Sequence, residues 1–355
     1  MRALVIEQFG RLGEVRDVPE PLCPPRGVVI EVGATGLCRS DWHGWMGHDP
    51  DITLPHVPGH ELAGAVVAVG AEVRRGRVGD RVTVPFVCAC GDCEACRAGE
   101  QQVCDRQFQP GFTHWGSFAD RVAVDHADVN LVHLPDELDF VTAASLGCRF
   151  STAYRALTVH GRIEPEQWVA VHGCGGVGLS AVMIAVARGA RVVAVDVAPA
   201  ALELAGSFGA EALVNAAETD VVRTIREITG GGAHVSVDAL GSVVTCRNSV
   251  SVLRKRGRHV QVGLMLAGDA SPPVPMDRVI MGELEIYGSH GMSAAGYPAL
   301  LDDVLAGRVR PRDLVTARIT LEESAQALAT MDQAPPAGIT VIVPAGAGQG
   351  ARTGS

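Results

Sequence analysis

The sequence predicts an α/β protein of two domains: a β-rich one made from both ends of the chain, and a doubly wound parallel sheet between them in sequence. Three observations predict it. At 355 residues the chain is too long for one ordinary core and suits two. The first third is short β-strands punctuated by Gly, Pro and Asp, whereas from about Gln167 strands alternate with helices. Between the first strand and helix of that second part stands "GCGGVG", a glycine-rich turn.

In the first part the expected strands are "VVIEVGATG", "LAGAVVAVG", "GDRVTVP" and "SFADRVAV", a mixed barrel-like set. The second part opens with the buried strand "WVAVHG", the helix "GLSAVMIAVARGA" and the strand "RVVAVDV". A helix around "PAALELAGSFGA", the strand "ALVN" and the helix "DVVRTIREITGGG" follow, then the strand "HVSVDAL", a helix through "TCRNSVSVLRKRG", and the strands "HVQVGL" and "LEIYGS". Six strands alternating with helices predict a doubly wound sheet. After Gly288 the chain reads as helices plus one last strand, "GITVIVP", too little for a core of its own. The expected boundaries are therefore 1–148 for the first domain, 149–288 for the second, and 289–355 for a return to the first. That return ends in a flexible tail, "AGAGQGARTGS".

Composition removes several classes of function. A net charge of −10 argues against a nucleic-acid surface, and no basic run suggests an anionic membrane. The N-terminus "MRALVIEQFG" is too short and too soon charged for a signal peptide, and no apolar run reaches membrane-spanning length. A cytoplasmic protein is expected, and in a reducing compartment ten cysteines point to metal or catalysis rather than disulfides.

Five of those cysteines lie between Cys88 and Cys104. Cys90, Cys93, Cys96 and Cys104 are separated by two, two and seven residues, and short C-x-x-C turns deliver thiolates to a tetrahedral zinc. An iron–sulfur cluster and disulfides are the alternatives. A closed four-cysteine site has no open position, so it would fold a lobe of about residues 88–106 rather than catalyse. Cys88 fits the spacing less well.

In "GCGGVG", Gly173, Gly175 and Gly178 stand in G-x-G-x-x-G spacing, with Gly176 and Val177 opening the helix. The first glycine permits the tight turn, the second admits a pyrophosphate and the third lets helix and strand pack. Asp196 ends the next strand at the distance where a carboxylate meets the adenosine ribose diol. Its charge would repel a 2′-phosphate, and Val197 and Ala198 offer no cation to receive one, so NAD is expected rather than NADP. Gly263, in "HVQVGL", is a further cofactor-binding candidate.

A catalytic zinc keeps three protein ligands and an open position. Cys38 in "GLCRSDWH" and His60 in "PGHELAG" supply two, and Cys148 in "SLGCRF" is the best remaining third. Taken singly, each reads as well as a buried core residue. Together with the cysteine cluster and the glycine loop, they make the chain resemble a zinc-dependent medium-chain alcohol dehydrogenase over nearly its full length. The matching stretches are "CRSDWH", "GHELAGAVVAVGAEV", the cysteine cluster, "SLGCRF" and "GCGGVG", in the family's order.

The resemblance implies a GroES-like catalytic domain, a Rossmann coenzyme domain and an active site in the cleft between them. It makes Cys38, His60 and Cys148 the catalytic zinc ligands, with Glu61 a possible alternate ligand and Asp41 the carboxylate that orients the ligand histidine. It implies two zinc ions per subunit, with Arg39 at the cofactor pyrophosphate and Phe86 and Trp115 as pocket walls. Trp42 and Trp45 would add to those apolar walls. Zinc would act as a Lewis acid on the alcohol, and the released proton would pass from Ser40 through the nicotinamide ribose to His43, histidine being suited to the step by an unperturbed pKa of about 6.5. Without the resemblance, Ser40 reads as a helix N-cap and His43 as a surface histidine.

A polyol or sugar dehydrogenase of the same architecture is the nearest rival, since such members recruit the counterpart of Glu61 as a ligand and lack the third cysteine. A silent NAD-binding protein is the rival from another class. The expected partner is a small alcohol, aldehyde or ketone. A homodimer or homotetramer paired through the edge strand "LEIYGS" is also implied.

Overall fold

The computed structural model describes residues 1–266, 270–333 and 337–345; the expected tail, from Gly346 onward, lies outside the described residues. The chain divides into two units. One comprises Met1–Ser151, Gly291–Leu305 and the described residues from Pro311 onward; the other comprises Thr152–His290 and Ala306–Arg310.

The first unit is organised by a sheet of seven strands among the described residues. Its order runs Val315–Ile319, Ile339–Ile342, Val28–Leu37, Glu61–Val69, Arg81–Thr83, Val132–His133, with Arg121–Val124 also pairing with Val28–Leu37. The central strand, VVIEVGATGL, is buried at every position but Glu31, as expected of a strand covered on both faces. On one side Ile30, Leu62, Val66, Val82 and Val122 form a core. At the other end Leu37, Val57, Phe118 and Ile342 form a second.

Antiparallel pairing of Gly36 with Glu61 has a direct consequence. Cys38 follows the end of one strand and His60 precedes the start of its neighbour, so the register brings the two side by side. A helical run from Phe140, with a π-turn at Leu146–Phe150, then lies against the start of Glu61–Val69. Gly147 permits that approach: a Cβ there would sit 2.9 Å from Glu61 Cα.

The second unit carries six parallel strands in the order Ala212–Asn215, Arg191–Asp196, Trp168–His172, Ala233–Asp238, Leu253–Gln261, Glu285–Gly288. In chain order this is 3-2-1-4-5-6, the doubly wound arrangement with a switch point beside the first strand.

Two expectations are corrected. The helix around "TCRNSVSVLRKRG" covers only Val243–Ser251, and "LRKRG" begins the strand Leu253–Gln261. A bulge there, with a register shift and Arg256 at φ 62°, breaks the alternation that marks a strand in sequence. Val315–Ile319 is a strand the sequence reading missed. Its alternately half-buried and exposed residues, VTARI, form the sheet's edge and carry too little apolar signal to declare it.

Candidate metal and dinucleotide sites

Cys90, Cys93, Cys96 and Cys104 are buried, and their sulfurs lie within 4.8 Å of one another. Cys93 and Cys104 are 3.7 Å apart and Cys90 and Cys96 are 4.0 Å apart, far beyond a disulfide bond. A tetrahedral zinc with bonds of about 2.3 Å requires edges of about 3.8 Å, so the sulfurs fit the ion. Backbone N–H groups of Cys90 and Arg106 donate to Cys104 Sγ, and that of Cys96 donates to Cys93 Sγ. The last of these lowers the Cys93 pKa to about 7, towards the thiolate a metal needs, whereas burial raises the thiols of Cys96 and Cys104. Cys88 is outside the group. It is fully buried among Leu62, Val82 and Phe108, and burial pushes its thiol far up.

The second group is Cys38, His60, Cys148 and Glu61, again with donor atoms within 4.8 Å of one another. Asp41 organises it. Its carboxylate accepts from the backbone N–H of Cys38 at 2.9 Å and of Gly59 at 3.1 Å, and pairs with His60 Nδ1 at 2.9 Å. That fixes the imidazole and turns Nε2 inward, where it is buried without a hydrogen-bond partner. An orphaned buried nitrogen is costly unless something fills its place.

Charge points the same way. Burial works against protonation of His60, yet the Asp41 carboxylate raises its pKa well above the usual imidazole value. Cys38 is held well below the usual thiol range, first by a hydrogen bond from Cys148 and then by the Arg149 guanidinium. The group is built to hold positive charge at Nε2 beside thiolate, and a zinc ion fits that demand.

Glu61 is turned to another task. Arg149 donates Nε and its backbone N–H to Glu61 Oε1 at 3.0 and 2.9 Å, Nη2 to Oε2, and Nη1 to Leu37 O at 3.0 Å. Gly36 makes room for this buried pair, since a Cβ there would stand 2.2 Å from Glu61 Oε2. Tyr297, fully buried, donates its hydroxyl to the Leu146 and Gly147 carbonyls and so braces the turn that presents Cys148. Sequence reading missed both Arg149 and Tyr297. Arg149 stood in "SLGCRF", but nothing local marks its partner 88 residues away.

The helix Arg39–Trp45 begins with Cys38 as its N-cap, which corrects the alternative placing of Ser40 at that position. Ser40 Oγ lies 3.8 Å from Cys38 Sγ. His43, one helical turn on from Ser40, is half-buried, and burial, then the charge of Arg39, lower its pKa to about 4. Arg39 forms an ion pair with Asp332 at 2.5 Å and lies over the Trp42 ring.

Trp42 and Trp45 do not form pocket walls; they pack in the core with Leu4, Val57 and Phe118. Phe86 packs edge-on to His60, and Phe112, which the sequence did not single out, has its ring centre 5.0 Å from the imidazole. Phe112 also lines a surface cavity of about 380 Å³ with Thr53, Pro55, His56 and Trp115.

In the second unit Gly173 has φ 90°, a conformation that favours glycine. A Cβ on Gly178 would collide with Gly173 O at 1.7 Å, while one on Gly175 would meet nothing. The loop therefore needs its first and third glycines for its own folding and leaves open space at the second. Gly176 and Val177 begin the helix Gly176–Ala187, whose first N–H groups have no partner within the helix. Asp196 accepts from the N–H groups of Cys174, Val197 and Ala198 at 2.6, 2.7 and 2.9 Å. A carboxylate has about four acceptor sites, so capacity remains for one hydroxyl. Gly263 is pressed against Gly241. Cys174 is buried, and burial, with the charge of Asp196, pushes its thiol up to about 12, which makes it unreactive.

Comparison with known proteins agrees with this arrangement. The alcohol dehydrogenase GroES-like domain pattern matches residues 24–136, and the zinc-binding dehydrogenase pattern matches residues 176–306. An alcohol dehydrogenase of Geobacillus stearothermophilus is 36% identical over 81% of this chain and 84% of its own length. The NAD-dependent alcohol dehydrogenase of Sulfurisphaera tokodaii is 34% identical over 97% of this chain and 100% of its own. Among solved structures, the alcohol dehydrogenase TADH from Thermus sp. ATN1 superposes with a TM-score of 0.89 at 33% identity, covering 97% and 100% of the two chains.

Proposed function

The chain belongs to the zinc-type medium-chain alcohol dehydrogenases, and from that premise we propose that it interconverts an alcohol with an aldehyde or ketone, using NAD. The observation that carries this reading is the orphaned Nε2 of His60, converging in a buried site with the sulfurs of Cys38 and Cys148. When bound, zinc would supply the Lewis acidity that makes the alcohol proton removable near neutrality, and NAD would be the source of hydride-accepting chemistry. Two zinc ions per chain follow from the two groups of ligands, the four-cysteine one serving to fold its lobe.

The chain's own residues do the rest. Asp41 holds His60 in the tautomer that leaves Nε2 free. Arg149 keeps Glu61 engaged, which favours a three-ligand set over the polyol-dehydrogenase reading. Ser40 takes the alcohol proton and His43 carries it onward. Phe86, Phe112 and Trp115 shape an apolar path suited to a hydrophobic alcohol. Gly173, Gly175, Gly176, Val177, Gly178, Asp196 and Gly263 hold the dinucleotide. The first unit is the catalytic domain and the second the coenzyme domain.

No helix among the described residues is long and apolar enough to cross a membrane. Exposed Ile280, Met281 and Ile286 lie on and beside the edge strand Glu285–Gly288, which supports pairing of two copies there.

The test is NADH formation across primary, secondary and polyhydroxy alcohols, with NAD and NADP compared. Turnover of simple alcohols with NAD is expected. Asp196→Ala should raise the KM for NAD roughly 10- to 100-fold, as loss of a charged hydrogen bond does, and relax discrimination against NADP. A wild-type preference for NADP would overturn the role given to Asp196.

A further inference from the structure

Ser40 and His43 carry the proton only as far as a half-buried imidazole, and the helix end shows where it goes next. Met46 caps the helix Arg39–Trp45, and Gly47 follows at φ 76°. The N–H of Gly47 donates to Gly44 O and that of His48 to His43 O, both at 3.0 Å. These two bonds are a Schellman ending, in which the residue after the left-handed position folds back over the helix and touches the last full turn. That contact is ordinarily apolar. Here it is two imidazoles, His43 Nδ1 lying 3.0 Å from His48 Nδ1.

Two N–H groups cannot point at each other, so one ring donates and the other accepts. Trp42 packs edge-on against both, with ring centres 5.0 and 5.7 Å away. His43 is half-buried, whereas His48 is exposed.

We propose that His48 is the outer member of the proton relay, taking the proton from His43 Nδ1 and releasing it to water. The proposal rests on the reading of Ser40 and His43 given above. The transfer balances. A neutral His43 gains the alcohol's proton at Nε2 and gives up its Nδ1 proton to the Nδ1 lone pair of His48. His48 then loses its Nε2 proton to solvent, and both rings return to neutrality. The charged groups facing His43 are Arg39 and Cys38 from its own segment, His48 from the turn and Asp332 from the C-terminal segment. Burial, then the charges of Arg39 and His48, outweigh the opposing pull of Cys38 and Asp332 and hold His43 down to about 4, so it does not retain a proton at neutral pH.

The experiment compares His48→Ala, His48→Gln, His43→Ala and the double variant by the single-turnover burst of NADH formation, from about pH 6 to about pH 9, with and without added imidazole. His48→Ala and His48→Gln should slow the burst roughly ten- to a hundredfold at the acid end, at or below the low side of what a positioned proton acceptor contributes. The deficit should fade as pH rises and hydroxide takes over. Added imidazole should restore it, and the double variant should be no slower than His43→Ala, as for members of one series.

A His48→Ala burst with the wild-type pH profile, beside a slowed His43→Ala, would end the relay at His43. So would a deficit that ignores pH and imidazole, which would mark His48 as only bracing the turn. If His43→Ala were itself unaffected at every pH, the relay from Ser40 would fall, and this extension with it.

Discussion

The first unit holds two groups of cysteine ligands built on opposite plans. In the lobe, four sulfurs come from one short stretch, Cys90 to Cys104, and are buried together with backbone N–H donors aimed at them. In the other, Cys38, His60 and Cys148 come from three separate elements and are steered by a carboxylate, a guanidinium and a tyrosine that are not ligands themselves. The first is so small a loop, with so little core of its own, that a metal would supply its shape. The second has its shape from the surrounding sheet and leaves one buried nitrogen unpartnered, open to whatever occupies the site. Ligands close in sequence let a metal fold the chain; ligands far apart let the chain hold a metal for chemistry.

The sharpest way to break that contrast is one serine on each side. Cys96→Ser should lose the lobe's zinc and melt far below wild type, because structural zinc contributes apparent binding energies of about 10–16 kcal/mol in small domains. Cys38→Ser should melt near wild type while turnover falls about a thousandfold or more, equivalent to about 4 kcal/mol in the barrier. Thermal melts beside steady-state rates check both.

Arg149→Ala sharpens the claim that the open site is held by its fold. Glu61 would be left as an uncompensated buried charge, a loss of about 3–5 kcal/mol, read by denaturant unfolding. The smallest expected effect is Asp41→Asn, which keeps the shape but weakens the hold on His60. It should cost roughly 10- to 100-fold in zinc affinity or turnover, checked by metal titration.

Much of this was legible in the sequence, and the reasons differ by element. The cysteine lobe and the glycine loop could be read because their geometry is set within a few residues. Cys38 and His60 could be grouped from ligand chemistry and then from the resemblance, although the register of Gly36 with Glu61 is what joins them. Arg149, Tyr297 and Phe112 escaped notice because their partners are distant in sequence and ordinary in type. Trp42 and Trp45 were misplaced for the converse reason, since an aromatic in a site-bearing segment looks like a wall until the packing shows it belongs to the core. The strand Val315–Ile319 was missed because two of its five residues are exposed and the other three are only half-buried.

Zinc content per chain, measured for wild type and Cys38→Ser prepared side by side, tests the central claim most directly. Two zinc ions in the wild type and one in the variant, with the fold intact and turnover gone, is the predicted result. One zinc in both proteins would contradict it, because Cys38, His60 and Cys148 would then hold no ion at all.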